Sequence, residues 1–330
     1  MKLSVIPITN ASGWNACLER IACYDIYHTH LYHTLDVEKD ARLLVFEEDN
    51  HEMALPLLFR DIPSAPGWKD VTSVYGYVGW ICSRPKFTPL LFELLTEYMR
   101  EQKVVSVFSR LHPLVPYSDS FDVGEVVSVN TTVGIDLSLS PDDQFRAYKE
   151  SVRRSIRKGY KQGAQVRQAE SLTDLQSFIQ VYHTAMHRLN ASANYFFSDI
   201  YFKTLWNNSS FESVVLLAEW NGEVIGGAMF TLCRGIMQYH LGGVVESYVH
   251  LSPLKLLIDE ARKIAVVRGC QFFHLGGGFG GQNDNLFVFK SRMATSRYTF
   301  KALKWIVAPK KYRSLSENKE VSDFFPLYRV

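Results

Sequence analysis

No segment of this 330-residue sequence approaches the roughly 18 apolar residues that a membrane-spanning helix needs. The opening Met1-Lys2-Leu3-Ser4 lacks the apolar core of a secretory signal, so a cytoplasmic protein is expected. Cysteine is sparse. Its five copies, Cys17, Cys23, Cys82, Cys233 and Cys270, are odd in number and mostly set in apolar stretches, which suits reduced core thiols rather than a disulfide framework. No CxxC or HExxH spacing occurs, so a structural or protease-type zinc site lacks its ligands and no metal is expected. Serine-hydrolase and P-loop chemistry lack their GxSxG and GxxxxGK(S/T) signatures. Nor does one sign of charge dominate: 36 Lys and Arg face 34 Asp and Glu, and a net charge of +2 argues against a protein that coats nucleic acid, DNA included.

What is present is apolar residue, 47% of the chain, enough over this length for two domains with separate cores. The pattern predicts a strand over 3–8, helices over 14–21 and 26–35, and a hairpin in which 43–46 turns at Glu48-Asp49-Asn50-His51 and returns over 53–59. A strand over 71–82, a helix over 89–100 and strands over 104–109 and 126–137 follow. The second half repeats this order. Strands over 214–220 and 223–232 flank Asn221-Gly222, a strong hairpin signal because both residues of the tight turn must tolerate positive φ. After a strand over 237–244, Ser252-Pro253 predicts a capped helix closed by Gly269, with apolar Leu254, Leu257, Ile258, Ala261, Ile264 and Ala265 three and four apart. Strands over 271–275 and 298–307 complete an α/β (α+β) plan of mixed sheets flanked by helices, with the two hairpins suggesting two copies of one architecture. One long helix, 140–162, is expected between the halves, giving domains 1–139 and 140–330.

That helix carries Phe145, Tyr148, Val152 and Ile156 on one face, with Arg153, Arg157 and Lys161 four apart on another. A solvated basic face and a phosphate-binding face both fit. The loop Gly276-Gly277-Gly278-Phe279-Gly280-Gly281 contains a formal GxGxxG, but 296–311 supplies no acid for a ribose, which disfavours a dinucleotide site. A plain structural loop and close backbone approach to a ligand stay open for these glycines. His28, His30 and His33 do not share one helical face; surface or acceptor-pocket positions suit them better than a metal site. In Asn285-Leu286-Phe287-Val288-Phe289-Lys290, spacing alone favours a snorkelling surface lysine over a desolvated one.

Taken in order along the chain, several segments resemble the FemABX family and its relatives in the GNAT superfamily. The run from Arg153-Arg154-Ser155-Ile156-Arg157 to Gly163 is similar to the family's basic segment leading into a strand. Phe272-Phe273-His274-Leu275-Gly276-Gly277 resembles its strand ending in Leu-Gly-Gly, with His274 where aspartate is common. Phe287-Val288-Phe289-Lys290-Ser291 is similar to its Phe-Lys motif, in which the lysine lies at the reaction centre. Tyr75-Gly76-Tyr77 and Phe325-Pro326-Leu327-Tyr328-Arg329 resemble segments of relatives associated with surface-polysaccharide synthesis.

The resemblance implies two tandem GNAT-like domains with a cleft between them and no tightly bound cofactor. It implies an acyltransferase that passes an aminoacyl group from aminoacyl-tRNA to an amine of a peptidoglycan or surface-polysaccharide precursor. Lys290 would then receive the developing oxyanion with Phe289 shielding it, and Gly277 and Gly278 would bring backbone donors close. Arg153, Arg157 and Lys161 would hold phosphates of the acceptor, and Tyr75 and Tyr77 its sugar or peptide part. Ser252 and Lys255 would hold a donor phosphate at a helix N-terminus. Two alternatives stand beside this: an acetyl-CoA-dependent N-acetyltransferase of a nucleotide sugar or polysaccharide precursor, and a non-catalytic precursor-binding module. The usual acetyl-CoA loop pattern is missing before 252–269, where Glu246-Ser247-Tyr248-Val249-His250-Leu251 stands. Reaching a lipid-linked acceptor would require peripheral membrane association.

Overall fold

The computed structural model describes residues 1–35, 40–84, 87–115, 123–278, 284–320 and 322–330. The chain forms two compact units, Met1–Asn130 with Thr299–Val330, and Thr131–Tyr298.

The first unit opens with β1 (Lys2–Pro7) and α1 (Ala11–Ile21). The Asn10 side chain accepts the Gly13 N–H at 2.9 Å and starts α1, and Trp14, Cys17, Leu18 and Ile21, three and four apart, turn inward. The helix expected over 26–35 is interrupted at Thr29, where the backbone is extended, leaving a 3-10 turn at Ile26–His28 and a short α2 (His30–Thr34). The expected hairpin forms from β2 (Asp40–Glu48) and β3 (His51–Asp61), closed by Asp49 and Asn50 at φ of 50° and 63°. In place of one strand over 71–82 come β4 (Lys69–Thr72) and β5 (Ile81–Cys82), followed by α3 (Leu90–Glu101) and β6 (Val104–Arg110). Strands β1 to β4 pair antiparallel in order, β5 adds to β3, and β6 joins β4 in parallel.

His28 and His33 are fully buried, contrary to the expected surface or pocket position, and backbone groups meet both ring nitrogens of His28 and one of His33. His28 Nδ1 accepts the Asp25 N–H at 3.0 Å, so its Nε2–H donates to Val78 O at 2.9 Å. His33 Nε2 donates to Tyr27 O at 3.1 Å. His112 Nδ1 accepts from Leu114 and Val115 N–H, which points its Nε2–H at Asp25 Oδ2, 2.9 Å away. All five cysteines are free thiols; Cys17, Cys233 and Cys270 are buried and Cys23 is exposed.

β7 (Glu125–Asp136) leads into the second unit. The single helix expected over 140–162 is two helices, α4 (Pro141–Ala147), capped by Ser140, and α5 (Glu150–Lys161). Tyr148 and Lys149 between them are extended, with ψ of 143° and 142°. Burial of the Tyr148 ring and donation of the Lys149 N–H to Arg292 O at 2.9 Å replace the helical bonds. Then come β8 (Gln165–Gln168), α6 (Leu172–Arg188) and α7 (Asp199–Trp206). The second hairpin joins β9 (Glu212–Trp220) to β10 (Glu223–Cys233) through Asn221 and Gly222 at φ of 51° and 81°. β11 (Ile236–Val244), α8 (Pro253–Val267), β12 (Phe272–Gly276) and α9 (Asn285–Ser291) complete the unit. Its sheet runs β7-β12-β11-β10-β9-β8, with β11 and β12 parallel and the other pairs antiparallel.

One face of this sheet, with Val214, Leu216, Ala228, Phe230 and Met237, packs on α5 and α8. The other receives α6 at bare glycine: a Cβ on Gly243 would stand 2.9 Å from Val181 O and 3.0 Å from Tyr182 Cα.

The chain then returns to the first unit through β13 (Ser296–Ile306), antiparallel to β6 with Ala302 opposite Arg110, and α10 (Pro309–Ser316). The closing residues are tied to the same unit. Arg329 donates to Asp70 Oδ2 at 2.7 Å, and the Tyr328 and Ser106 hydroxyls lie 2.7 Å apart. The units therefore differ from the expected 1–139 and 140–330, because the last 32 residues (299–330) return to first-unit partners that include β6 and Asp70. Among the described residues no helix is long and apolar enough to cross a membrane.

Candidate active site

β11 and β12 run side by side for three pairs, Ile236–Phe272, Met237–Phe273 and Gln238–His274, and then part. β11 continues with one extra residue: Tyr239 lies opposite Phe230 and Leu241 opposite Met229, so His240 is bulged. β12 ends at Gly276, whose φ of 77° turns the chain out of the sheet. Beyond this point the facing backbones of the two strands no longer share a ladder, which makes the fork a place where backbone groups can meet a ligand.

Lys290 is brought to this fork by α9. The Asp284 carboxylate caps the helix by accepting the Phe287 N–H at 2.8 Å, and Phe287 and Lys290, three apart, both turn inward. Lys290 is 7% exposed, not the snorkelling lysine that spacing favoured. Its Nζ donates to Gly277 O at 2.9 Å and stands 5.2 Å from the centroid of the Tyr239 ring. Burial pushes its pKa down from 10.5 to about 8, against the opposing pull of the Asp284 carboxylate. An ammonium carries three donors, so one bond to the Gly277 carbonyl leaves capacity for an anionic oxygen. The ring over Nζ is that of Tyr239; Phe289 is half-buried and packs against the core. Gly277 thus meets Lys290 through its carbonyl oxygen rather than its N–H. Phe279, Gly280 and Gly281 of the glycine loop lie outside the described residues.

A second polar group gathers at the start of α8. Ser252 adopts a left-handed conformation, φ 58° and ψ 46°, and its side chain makes no capping bond, contrary to the ordinary cap expected. Instead Lys255 Nζ donates to Ser155 Oγ at 2.9 Å and to Ser252 Oγ at 3.4 Å, joining α8 to α5. Burial and then the nearby Arg292 charge lower the Lys255 pKa.

The other basic positions on α5 are less concerted. Arg153 donates to the Glu150 carboxylate and to Arg146 O, so its guanidinium is held by its own neighbourhood. Arg157 stands 5.6 Å from the Phe145 ring centroid, and Lys161 is exposed. Gly278 is half-buried. Tyr75 and Tyr77 belong to the first unit, on the loop between β4 and β5. Tyr75 is 51% exposed, and Tyr77 packs edge-on to Phe300 and Tyr27 with centroids 5.1 and 6.0 Å away.

Four residues at the fork went unnoticed in the sequence: Gln238, Tyr239, His240 and Tyr201. His274 Nδ1 donates to Gln238 Oε1 at 2.8 Å, both side chains buried. His240 Nε2 shares a hydrogen bond of 2.7 Å with the Tyr201 hydroxyl on α7, and the Tyr201 ring stacks on Phe197 at 4.2 Å. The polar alternation Gln238-Tyr239-His240 inside an otherwise apolar strand is the signal that could have found them. Among the described residues, no group of three His, Cys, Asp or Glu side chains is disposed to hold a metal.

Residues 146–285 match the family described as acetyltransferase (GNAT) domain, a span that contains the fork and stops just short of Lys290. Among solved structures the chain is similar to FemX, with a TM-score of 0.70 at 12% identity over 95% of this chain and 99% of that one. It is also similar to the C-terminal domain of an Agrobacterium fabrum protein described as a lysylphosphatidylglycerol synthetase, TM-score 0.57 at 12% identity over 90% and 92%. A Bacteroides thetaiotaomicron protein of unknown function gives 0.56 at 9% over 93% and 99%. No curated protein matches by sequence. At such identities the likenesses fix the fold, and the domain match adds the acyl-transfer class.

Proposed function

We propose, from the premise that the chain is a FemABX-like acyltransferase of the GNAT fold, that it transfers an aminoacyl group from aminoacyl-tRNA to an amine of a cell-envelope precursor. The observation that carries this reading is the buried Lys290 ammonium at the β11–β12 fork. A neutral acceptor nitrogen attacks the acyl carbonyl carbon, the C–N bond forms, and the carbonyl electron pair moves onto oxygen. Lys290, fixed by Gly277 O and the Tyr239 ring, receives that charge without reorganising. Collapse restores the carbonyl and breaks the C–O bond to the tRNA ribose, whose oxygen leaves with the proton that the attacking nitrogen gives up through a base. The nitrogen sheds its own proton, and His240, hydrogen-bonded to Tyr201 one residue beyond Tyr239, is suited to take it. No step calls for a metal or a resident cofactor.

Lys255, with Ser155 and Ser252, would hold a phosphate of the donor, and Arg157 and Lys161 phosphates of the acceptor. Arg153 would join them only by leaving Glu150. Gly278 would line the acyl end. A cytoplasmic location follows from the donor.

A second reading keeps the fold and exchanges the donor for acetyl-CoA, favoured by the match of residues 146–285 to an acetyltransferase domain. Against it, the segment before α8 is a 3-10 helix, Glu246–Leu251, without the glycine pattern of a pyrophosphate loop. Thermal unfolding with aminoacyl-tRNA, acetyl-CoA and sugar nucleotides separates the two, since a ligand at 100 times its Kd adds about 2.7 kcal/mol. Stabilisation by aminoacyl-tRNA that fades steeply with salt is expected. Stabilisation by acetyl-CoA alone would replace the donor, and precursor binding with no turnover from either donor would favour a binding module.

A further inference from the structure

The first unit carries a concentration of positive charge that acyl transfer at the fork does not use. α10 places Lys310, Lys311 and Arg313 within four residues and contains no acid. Its apolar Tyr312 and Leu315 pack against Ile62, Ala65, Val105 and Tyr328, which turns the basic residues outward. There they meet Trp68 and Arg100 around an open groove of about 720 Å³, whose apolar wall includes Val307 and Pro309. Lys311 Nζ stands 5.7 Å from the Trp68 ring centroid. Among the described residues none of these four cations has a carboxylate partner. The adjoining hollow, which shares Arg100, is lined by Glu93, Glu97 and Glu101, so the α10 side is the one open to an anion.

We propose that this groove is a binding site for a phosphate ester, the phosphate against Lys310, Lys311, Arg313 and Arg100 and the organic part against Trp68, Val307 and Pro309. Four cations exceed what one carboxylate would need, and the two guanidinium groups can each grip two phosphate oxygens. The Trp68 indole, half-buried beside a cation, offers the mixed apolar and polar surface that the carbon skeleton of such an ester requires. Two sources present this chemistry: the headgroup of an anionic phospholipid in a bilayer, and a free phosphate ester.

The full chain is tested in two arms, flotation with phosphatidylcholine vesicles with and without phosphatidylglycerol, and calorimetric titration with glycerol phosphate. A variant combining K310Q, K311Q and R313Q is compared with one combining R154Q, K158Q and K203Q, which removes the same charge elsewhere. Circular dichroism checks that both remain folded. Binding is expected in one arm, weakened on the order of 100-fold in the α10 variant, from about fivefold per cation, and changed less than about threefold in the comparator. Binding to vesicles alone identifies the lipid headgroup, and binding to glycerol phosphate identifies the free ester. Absence of binding in both arms, or equal loss in both variants, overturns the proposal. Neither readout requires acyl transfer, so its failure would leave the reading of the fork untouched.

Discussion

Replacing Lys290 by Met should make the protein more stable at neutral pH while removing its activity. Lys290 is 7% exposed and its pKa is depressed from 10.5 to about 8, chiefly by burial. At about 1.4 kcal/mol per factor of ten, that fall means the folded state spends roughly 3 kcal/mol to keep the ammonium charged at pH 7. The sign follows from proton binding. Below about pH 8 both folded and unfolded chains hold the proton and the cost is complete; between about 8 and 10.5 the folded state has released it and the unfolded state has not, so stability rises with pH. Methionine fills nearly the same volume without charge, but gives up the bond to Gly277 O, worth about 1 kcal/mol. The net expectation is a gain of about 2 kcal/mol for K290M at pH 7, shrinking to about zero near pH 9.5. Urea unfolding of both proteins at the two pH values measures it. A variant less stable than the parent at pH 7, or a difference that does not change with pH, would refute the idea of an ammonium held at an energetic cost.

Three further outcomes are expected. Burial lowers the pKa of His28 to about 4 and of His33 to about 3, so the unfolded chain binds more protons below pH 6.5. Stability should fall by more than about 5 kcal/mol as pH drops from 7 towards 4, and unfolding curves that coincide at those two pH values would contradict it. Gly243→Ala should cost about 1–3 kcal/mol, because its methyl would press on Val181 O and Tyr182 Cα and lift α6 from the sheet; chemical denaturation reads this directly. Lys255→Met should weaken the phosphate-bearing donor by about tenfold while leaving the midpoint of the unliganded protein within a few degrees, and an unchanged donor affinity removes Lys255 from the donor site.

Both hairpins were legible because their turns are local chemistry: Asp49-Asn50 and Asn221-Gly222 adopt the positive φ that their residue types allow. The break between α4 and α5 was not, since Ser140-Pro141 and Gly163 bracket an unbroken helical pattern. It arises from a buried Tyr148 and from an acceptor, Arg292 O, that is 143 residues (292 less 149) away in sequence. The ownership of β13 is equally non-local, because a strand's composition does not name its partners and here one of them is β6. At the site, Lys290 was identified by resemblance while its spacing favoured the surface; only the fold shows the helix turning it inward beside Phe287. His240 escaped notice because the residue that singles it out, Tyr201, lies on α7 and reaches it across tertiary structure.

The reading of the fork stands most directly on turnover. Amide formation from aminoacyl-tRNA onto an amine-bearing envelope precursor should be followed by mass spectrometry for the parent and for K290M, each shown to be folded. A loss of about 100- to 1,000-fold in kcat for the variant is predicted, the effect of removing one fixed oxyanion donor. Equal turnover by a folded K290M would contradict it.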